Sequence, residues 1–122
     1  MRGPLNELPI ELHEGDLVTR CIEWGDMALR YARVPAGTDL SPVLTGLPGN
    51  RCPSPHWGVV LEGELHLLHA DGTEEVARAG DAYYWPAGHT AWMEQDAVFL
   101  EIGPVPAMRQ FGDYVKAMIS SA

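Results

Sequence analysis

The sequence predicts an all-β domain that ends in a short helix, with the strands forming a sandwich or a barrel. Thirteen glycines and ten prolines are scattered along the 122 residues, which indicates many short elements joined by turns. Between these turn residues lie short apolar or alternating runs that are typical of strands. Only the last stretch, AMRQFGDYVKAMISSA, places its apolar residues at helical spacing. The length is that of one domain, so we predict a single domain over residues 1–122.

The first part of the chain predicts an arm, two strands and a long loop. Residues 1–16 form the predicted N-terminal arm, and residues 17–34 read as two strands joined at Gly25-Asp26, a turn dipeptide. The segment 35–55 is rich in proline and glycine. It predicts a long ordered loop, and such loops in small domains often carry function, so it is a candidate lid or entrance.

The middle of the chain predicts the remaining strands, within a barrel that spans residues 17–104. HWGVVLEG is one strand, and a hairpin around Asp71-Gly72 supplies two more. AYYW is a strand that Pro86 and Gly88 end, and TAWMEQDAVFLEIGP holds two strands with a turn between them. Residues 105–119 form the predicted helix, which we expect to pack on the outside of the sheets.

Charge and composition exclude several classes of partner. The net charge of −9 argues against a nucleic-acid partner, because phosphate binding needs a basic surface, and equally against attraction to anionic lipid. No apolar run reaches the length of about 18 residues that a membrane span needs. The N-terminus lacks an apolar core of the signal-peptide type, and two cysteines fit a reducing compartment. We therefore predict a cytoplasmic protein with no membrane or nucleic-acid partner.

A first motif resembles the cupin superfamily around Gly63, in VVLEGE. The first motif of that family is a His-x-His pair, a Glu four or five residues later, and a glycine after six more. Counting back from Gly63 puts His56 where the family has Glu. The same count puts Cys52 at the second His and Asn50 at the first.

A second motif, GDAYYWPAGHTAWMEQ, resembles the second conserved stretch of the same family. It keeps Gly80, Pro86 and Gly88 at the family spacing. Ala91 stands where the family has its histidine, and His89 lies two residues earlier. The two motifs cover about 50 residues of the chain.

The resemblance implies a cupin-type double-stranded β-helix, which is a small jelly-roll barrel, with a short C-terminal helix and often a homodimer. We therefore expect a homodimer. The family's usual set of three histidines and one glutamate is absent. Its four positions hold Asn50, Cys52, His56 and Ala91.

An altered metal site is predicted from alternation along the strands. Cys52 and His56 are four residues apart, so both can point into the barrel if the segment is extended. His89 lies two residues before Ala91, so the two side chains point to the same face of a strand. His89 can therefore replace the imidazole that the family has at position 91. Cys52, His56 and His89 would suit a divalent transition metal, with Zn²⁺ favoured over Fe²⁺ because the set has a thiolate and no carboxylate. The alternative is a buried thiol and hydrogen-bonded core histidines that hold no metal.

Three further residues are predicted to form the substrate pocket. Val60 and Met93 share parity with His56 and His89, so they should line an apolar cavity suited to a small organic ligand. Asn50 is a weak fourth ligand or a hydrogen-bond partner of the ligands. The sequence leaves open whether Glu101, inside the apolar run FLEI, is buried or faces solvent, and whether His66 faces the barrel interior.

Two functions are compatible with these residues. The first is a metal-dependent enzyme that acts on a small organic substrate in the cavity, by hydrolysis, isomerisation, cyclisation or oxygenation. Without metal, His56 or His89 could act as general acid or base near neutral pH. The second is a non-catalytic module that binds or senses a small molecule. The sequence names neither the substrate nor the reaction.

Overall fold

The structure, a computed structural model, describes residues 1–120, so the last two residues of the predicted domain lie outside the described residues. None of the described helices is long and apolar enough to cross a membrane. The described strands and the α-helix are β1 Ile10–Glu14, β2 Leu17–Trp24, β3 Met27–Val34, β4 His56–Glu62, β5 Glu64–Leu68, β6 Glu74–Arg78, β7 Ala82–Trp85, β8 Thr90–Trp92, β9 Ala97–Pro104 and α1 Val105–Ser120. Short 3-10 turns cover Leu5–Glu7, Ser41–Leu44 and Pro48–Asn50.

The strands form two antiparallel sheets. One sheet has six strands in the order β1-β2-β3-β9-β4-β7, and the other has three in the order β6-β5-β8. Apolar side chains from both sheets meet in one core, for example Leu65 and Leu67 from β5 with Phe99 from β9. The predicted fold class, all-β with a C-terminal helix, is confirmed.

Alternation along the central strands decides which side chains face the interior. On β3 the buried residues are every second one, and they include Arg30 among alanines and a valine. The register between β3 and β9 places Arg30 opposite Glu101. Because directly opposite residues point to the same face, the two charged side chains enter the interior together.

The predicted arm contributes a strand that the sequence pattern does not predict. Strand β1 pairs with β2 at the edge of the larger sheet, and a register shift lies between Ile10 and Leu12. An irregularity of this kind disrupts strict alternation. Consequently Glu11 and Leu12, although adjacent in sequence, both line the interior cavity.

The C-terminal helix does not simply pack on the outside of the sheets, as the sequence predicts. Phe111, Gly112 and Val115 of α1 line the interior cavity, and Arg30 on β3 donates a hydrogen bond to the carbonyl oxygen of Met108 at 3.2 Å. The apolar face of the helix therefore closes one side of the cavity. Helical spacing identifies the apolar face but not the surface against which it packs.

The glycine of the first motif, Gly63, is required by both conformation and space. Its φ is +76°, and a Cβ atom there would collide with the carbonyl oxygen of Asp96. Gly72 has a similar φ of +88° with open space around it. Substitution of Gly72 therefore tests the effect of a left-handed backbone alone, and substitution of Gly63 adds the effect of a steric clash.

We expect Gly63→Ala to lower the free energy of unfolding by about 3 kcal/mol, since it adds overpacking to backbone strain. Gly72→Ala, the matched control, should lower it by about 1 kcal/mol, because only the strain applies. Urea unfolding followed by circular dichroism measures both. Equal losses for the two variants would show that the contact with Asp96 does not constrain position 63.

Candidate metal centre

Backbone pairing brings Cys52 next to His89, 37 positions further along the chain. The N–H of Cys52 donates to the carbonyl oxygen of His89 at 2.8 Å, and the N–H of Gly88 donates to the carbonyl oxygen of Cys52 at 2.7 Å. The end of the 35–55 segment therefore runs as an extended chain beside the start of β8. Both side chains are buried.

His56, the first residue of β4, completes a cluster of three ligand-type side chains. The residue is 1% exposed, and its Nε2 lies 3.5 Å from the Sγ of Cys52. One ligand-type atom from each of Cys52, His56 and His89 lies within 4.8 Å of the others. The structure thus brings together the three residues that the sequence nominates as a metal site.

Both imidazoles are oriented by groups behind them. The Nδ1 of His89 lies 2.8 Å from the carbonyl oxygen of Pro86; because a carbonyl only accepts, Nδ1 carries the proton and Nε2 keeps its lone pair. The Nδ1 of His56 lies 3.5 Å from a carboxylate oxygen of Glu101 and makes no hydrogen bond among the described residues, and its Nε2 faces Cys52. Metal-binding histidines typically have such partners for their other ring nitrogen.

Burial sets the protonation of the cluster. It lowers the pKa of His56 to about 3, with help from the positive charge of Arg30, and it lowers the pKa of His89 to about 4, with help from His56. Both rings are therefore neutral at pH 7, the form that binds metal. Burial also raises the pKa of the Cys52 thiol to about 12, so a metal that binds there must displace its proton.

Three charged residues lie directly behind the cluster: Arg30 and Glu101 are buried, and Glu11 is partly buried. Arg30 donates to Glu11 through Nε at 2.8 Å and through Nη2 at 3.0 Å, and to Glu101 through Nη1 at 2.8 Å. Burial raises the pKa of Glu101 against the attraction of Arg30. Burial also acts to raise the pKa of Glu11, but the hydrogen bonds from Arg30 bring it below its ordinary value.

The sequence reasoning missed Arg30 and Glu11 and left Glu101 open. Glu101 is 3% exposed, and so is Arg30. One pattern in the sequence could have revealed Arg30. It lies on the same face of β3 as Ala28, Ala32 and Val34, where it interrupts a row of small apolar residues. An arginine on an otherwise apolar face needs a buried carboxylate partner, and the apolar run around Glu101 offered one.

The cluster opens onto an apolar cavity of about 70 Å³. The Cys52–His56–His89 cluster and the charged group around Arg30 form part of its wall. The rest of the wall comes from both sheets, the 35–55 segment and α1. The apolar lining residues include Leu12, Leu44, Met93, Phe99, Phe111 and Val115. A cavity of this size admits a small ligand or a small part of a larger one.

Of the three predicted pocket residues, only Met93 lines the cavity. Asn50 is exposed, because it ends a 3-10 turn with a φ of +57° and accepts a hydrogen bond from the Gly46 N–H at 3.1 Å. Val60 is buried in the core and has the predicted inward parity. It lies about 13 Å further along β4 than His56, where packed side chains fill the interior.

Two aromatic residues near the motifs, Trp57 and Trp92, point away from the cluster. Trp57 is 44% exposed, and Trp92 stacks on His66 with ring centroids 5.4 Å apart. His66 lies on the face of β5 opposite to buried Leu65 and Leu67. Alternation along the strands accounts for these positions.

Comparisons with known proteins support the fold. No family model and no curated protein sequence matches the chain. The polyketide cyclase RemF from Streptomyces resistomycificus superposes with a TM-score of 0.63 at 20% identity, over 85% of this chain and 78% of that one.

Two further solved structures have the same architecture. An RmlC-like cupin from Shewanella frigidimarina has a TM-score of 0.57 at 18% identity, over 81% of this chain and 85% of that one. A variant of oxalate decarboxylase from Bacillus subtilis has a TM-score of 0.55 at 15% identity, over 82% of this chain and 28% of that one. The chain therefore has the cupin fold, as the two motifs imply.

Proposed function

We propose that the protein is a zinc-dependent enzyme that acts on a small organic compound in the barrel cavity. The observation that supports this most strongly is the cluster of Cys52, His56 and His89, whose ligand-type atoms lie within 4.8 Å of one another beside an apolar cavity. Three protein ligands are the usual number at catalytic zinc sites, where the fourth position is left for water or substrate.

The chemistry of the donors favours zinc over iron(II). A thiolate and two neutral imidazoles suit zinc, whereas non-haem iron(II) sites commonly include a carboxylate ligand. Bound zinc would act as a Lewis acid that polarises a carbonyl group or activates a water molecule. His89 and His56 would each keep a proton on Nδ1, directed at Pro86 and Glu101 respectively, and present Nε2 to the metal.

The buried charges also favour a divalent cation. When both carboxylates are ionised, Arg30, Glu11 and Glu101 together carry one net negative charge in the interior. A divalent metal with one thiolate ligand carries one net positive charge. The two groups neutralise each other, and burial of an uncompensated charge is thereby avoided.

The neighbours with the same fold include a polyketide cyclase and an oxalate decarboxylase. Other proteins with this type of barrel are therefore enzymes that act on small molecules. Fold likeness alone does not choose a reaction.

The homodimer also stays a prediction. The outer face of the larger sheet exposes Trp57 stacked on Tyr84, with ring centroids 5.0 Å apart, next to Ile102. A second copy would cover apolar surface there.

Zinc binding to the purified protein tests the proposed function. We expect one zinc per chain by elemental analysis after reconstitution and desalting. In a Cys21→Ser background, where Cys52 is the remaining thiol, we expect zinc to slow alkylation of Cys52 and a chelator to restore it. No retained zinc would contradict a zinc-dependent enzyme. Zinc retention with no turnover of a panel of small esters, lactones and ketones would favour the binding or sensing module.

A further inference from the structure

Glu11 covers one side of the Arg30 guanidinium group at the cavity wall. Arg30 donates from Nε to Oε1 of Glu11 at 2.8 Å and from Nη2 to Oε2 at 3.0 Å. Two N–H groups against two carboxylate oxygens is also the arrangement in which arginine binds carboxylate ligands. The hydroxyl of Thr19 adds a third hydrogen bond to Oε1 at 2.9 Å. A carboxylate of the chain itself therefore fills a position where the carboxylate of a ligand could bind.

The position of Glu11 depends on two other features of the fold. The register shift in β1 directs its side chain inward. On α1, a Cβ atom at position 112 would collide with Oε2 of Glu11, and Gly112 leaves that space free. Glycine inside a helix is unfavourable by itself, so this close approach gives Gly112 a structural reason. Because Glu11, Arg30 and Gly112 all line the cavity, removal of the carboxylate would leave a space that belongs to the cavity.

The other donors of Arg30 are also occupied. Nη1 donates to Glu101 at 2.8 Å, and Nη2 donates in addition to the carbonyl oxygen of Met108 at 3.2 Å. Among the described lining residues, Arg30 carries the only permanent positive charge. No side-chain cation of the described wall remains to pair with an anionic ligand. Most of the lining is apolar, so a carboxylate there would lose its hydration without compensation.

The charge balance of the interior also favours a neutral ligand. Arg30, Glu11 and Glu101 together carry one net negative charge, which the proposed zinc–thiolate centre would neutralise. A neutral substrate preserves this balance, whereas an anionic substrate adds a charge that the described wall does not offset. The net charge of −9 on the whole chain also repels anions at longer range.

We propose that Glu11 is a specificity-determining residue, which covers the carboxylate-binding side of Arg30 and thereby restricts the cavity to small neutral compounds. The inference rests on the proposed function, since it names the substrate class of the same site. It also has a converse. A chain that lacks the Glu11 carboxylate should bind a small carboxylate in its place, with Arg30 and Thr19 as the donors.

Acetate and acetamide test the proposal, because they have the same number of non-hydrogen atoms and differ in charge. Both are titrated at constant ionic strength into metal-free ¹⁵N-labelled wild-type protein and Glu11→Ala, and binding is followed by chemical shifts, including that of the Arg30 Nε–H. Glu11→Ala should bind acetate at least about tenfold more tightly than acetamide, the range of charge-assisted hydrogen bonds. The wild-type protein should bind acetamide more tightly than acetate. Glu101 still pairs with Arg30 in the variant, so the core keeps a charge partner.

Two further variants complete the test. In the matched control, Glu23→Ala, the lost carboxylate accepts from Nε of Arg109 at 3.0 Å and from Nη2 at 2.6 Å, which is the same arrangement at an exposed site. This variant should gain no preference for acetate, because water screens that pair. Glu11→Gln keeps the size of the side chain and removes its charge. It should narrow the wild-type preference for acetamide, including in the case that Glu11→Ala does not fold.

Two outcomes would overturn the proposal. Wild-type protein that binds acetate as tightly as acetamide would contradict the neutral substrate class. An acetate-to-acetamide affinity ratio in the folded Glu11 variants equal to that of the wild-type protein would contradict the role of Glu11.

The failure of this inference is distinguishable from the failure of the proposed function, because the titrations use metal-free protein and zinc retention is measured separately. A gain of acetate affinity in Glu11→Ala, together with wild-type protein that retains no zinc, would support the role of Glu11 and contradict the zinc enzyme. Zinc retention without that gain would contradict the role of Glu11 alone.

Discussion

Zinc affinity is expected to fall by more than about a hundredfold when any one of Cys52, His56 and His89 is replaced. Loss of a residue that only orients a metal ligand lowers metal affinity about 10–100-fold, so loss of a ligand itself should lower it further. Suitable variants are Cys52→Ser and His89→Gln, which preserve approximate size. Competition with a chromogenic chelator measures the affinity. Circular dichroism establishes that each variant is folded before its affinity is interpreted.

Matched controls come from the same residue types elsewhere in the chain. Cys21 is the second free cysteine, and His69 is a half-buried histidine near Glu75. Cys21→Ser and His69→Gln should bind zinc as the wild-type protein does. Wild-type affinity in folded Cys52→Ser and His89→Gln would show that zinc binds away from this cluster.

Arg30→Met is expected to lower the free energy of unfolding by about 3–5 kcal/mol at neutral pH, because removal of Arg30 leaves the buried carboxylate of Glu101 and the partly buried one of Glu11 uncompensated. In the wild-type protein Arg30 donates to Glu11 and Glu101 from within the core. Methionine has a similar length but no charge and no donor. Urea unfolding at a series of pH values measures the loss.

The loss should depend on pH with a defined sign. Without Arg30, burial raises the pKa values of both carboxyl groups in the folded variant above the unfolded value of about 4.3. The variant is therefore closest to the wild-type protein below about pH 4, where the carboxyl groups are protonated in both states. The difference should widen as the pH rises above that value, because the folded variant then has to bury charge or hold protons.

Two further variants test the cause of this loss. Arg109→Met removes an exposed pair with Glu23 and should change stability little, because solvent screens that pair. The combination Arg30→Met, Glu11→Gln and Glu101→Gln should recover part of the lost stability, since it removes the uncompensated charges. A loss in Arg30→Met that is the same at every pH would contradict the electrostatic explanation and indicate lost packing instead.

Several elements follow directly from local sequence because their causes are local. The turns at Gly25-Asp26 and Asp71-Gly72 separate strands at the predicted places, since glycine adopts the left-handed backbone that such turns need. The helix over Val105–Ser120 agrees with the prediction of 105–119, because helical periodicity is visible in the sequence. The motif around Gly63 anchors the count that nominates Cys52 and His56.

Other features depend on which strands become neighbours, which local sequence does not encode. The irregularity in β1 that turns both Glu11 and Leu12 inward comes from pairing with β2. The turn at Asn50 interrupts the extended path that would have brought its side chain toward Cys52. Val60 keeps the predicted parity, but its distance along β4 puts it in the filled part of the core.

The sequence by itself determined the strand pattern from residue 17 onward, the terminal helix, the framework glycines and the three residue types suited to a metal. Those depend on backbone propensity and on side-chain alternation, which act over a few residues. Only the tertiary structure decided that Arg30 lies opposite Glu101 and that α1 closes the cavity. Each of these depends on contacts between segments far apart in the chain, where burial makes charges and hydrogen bonds decisive.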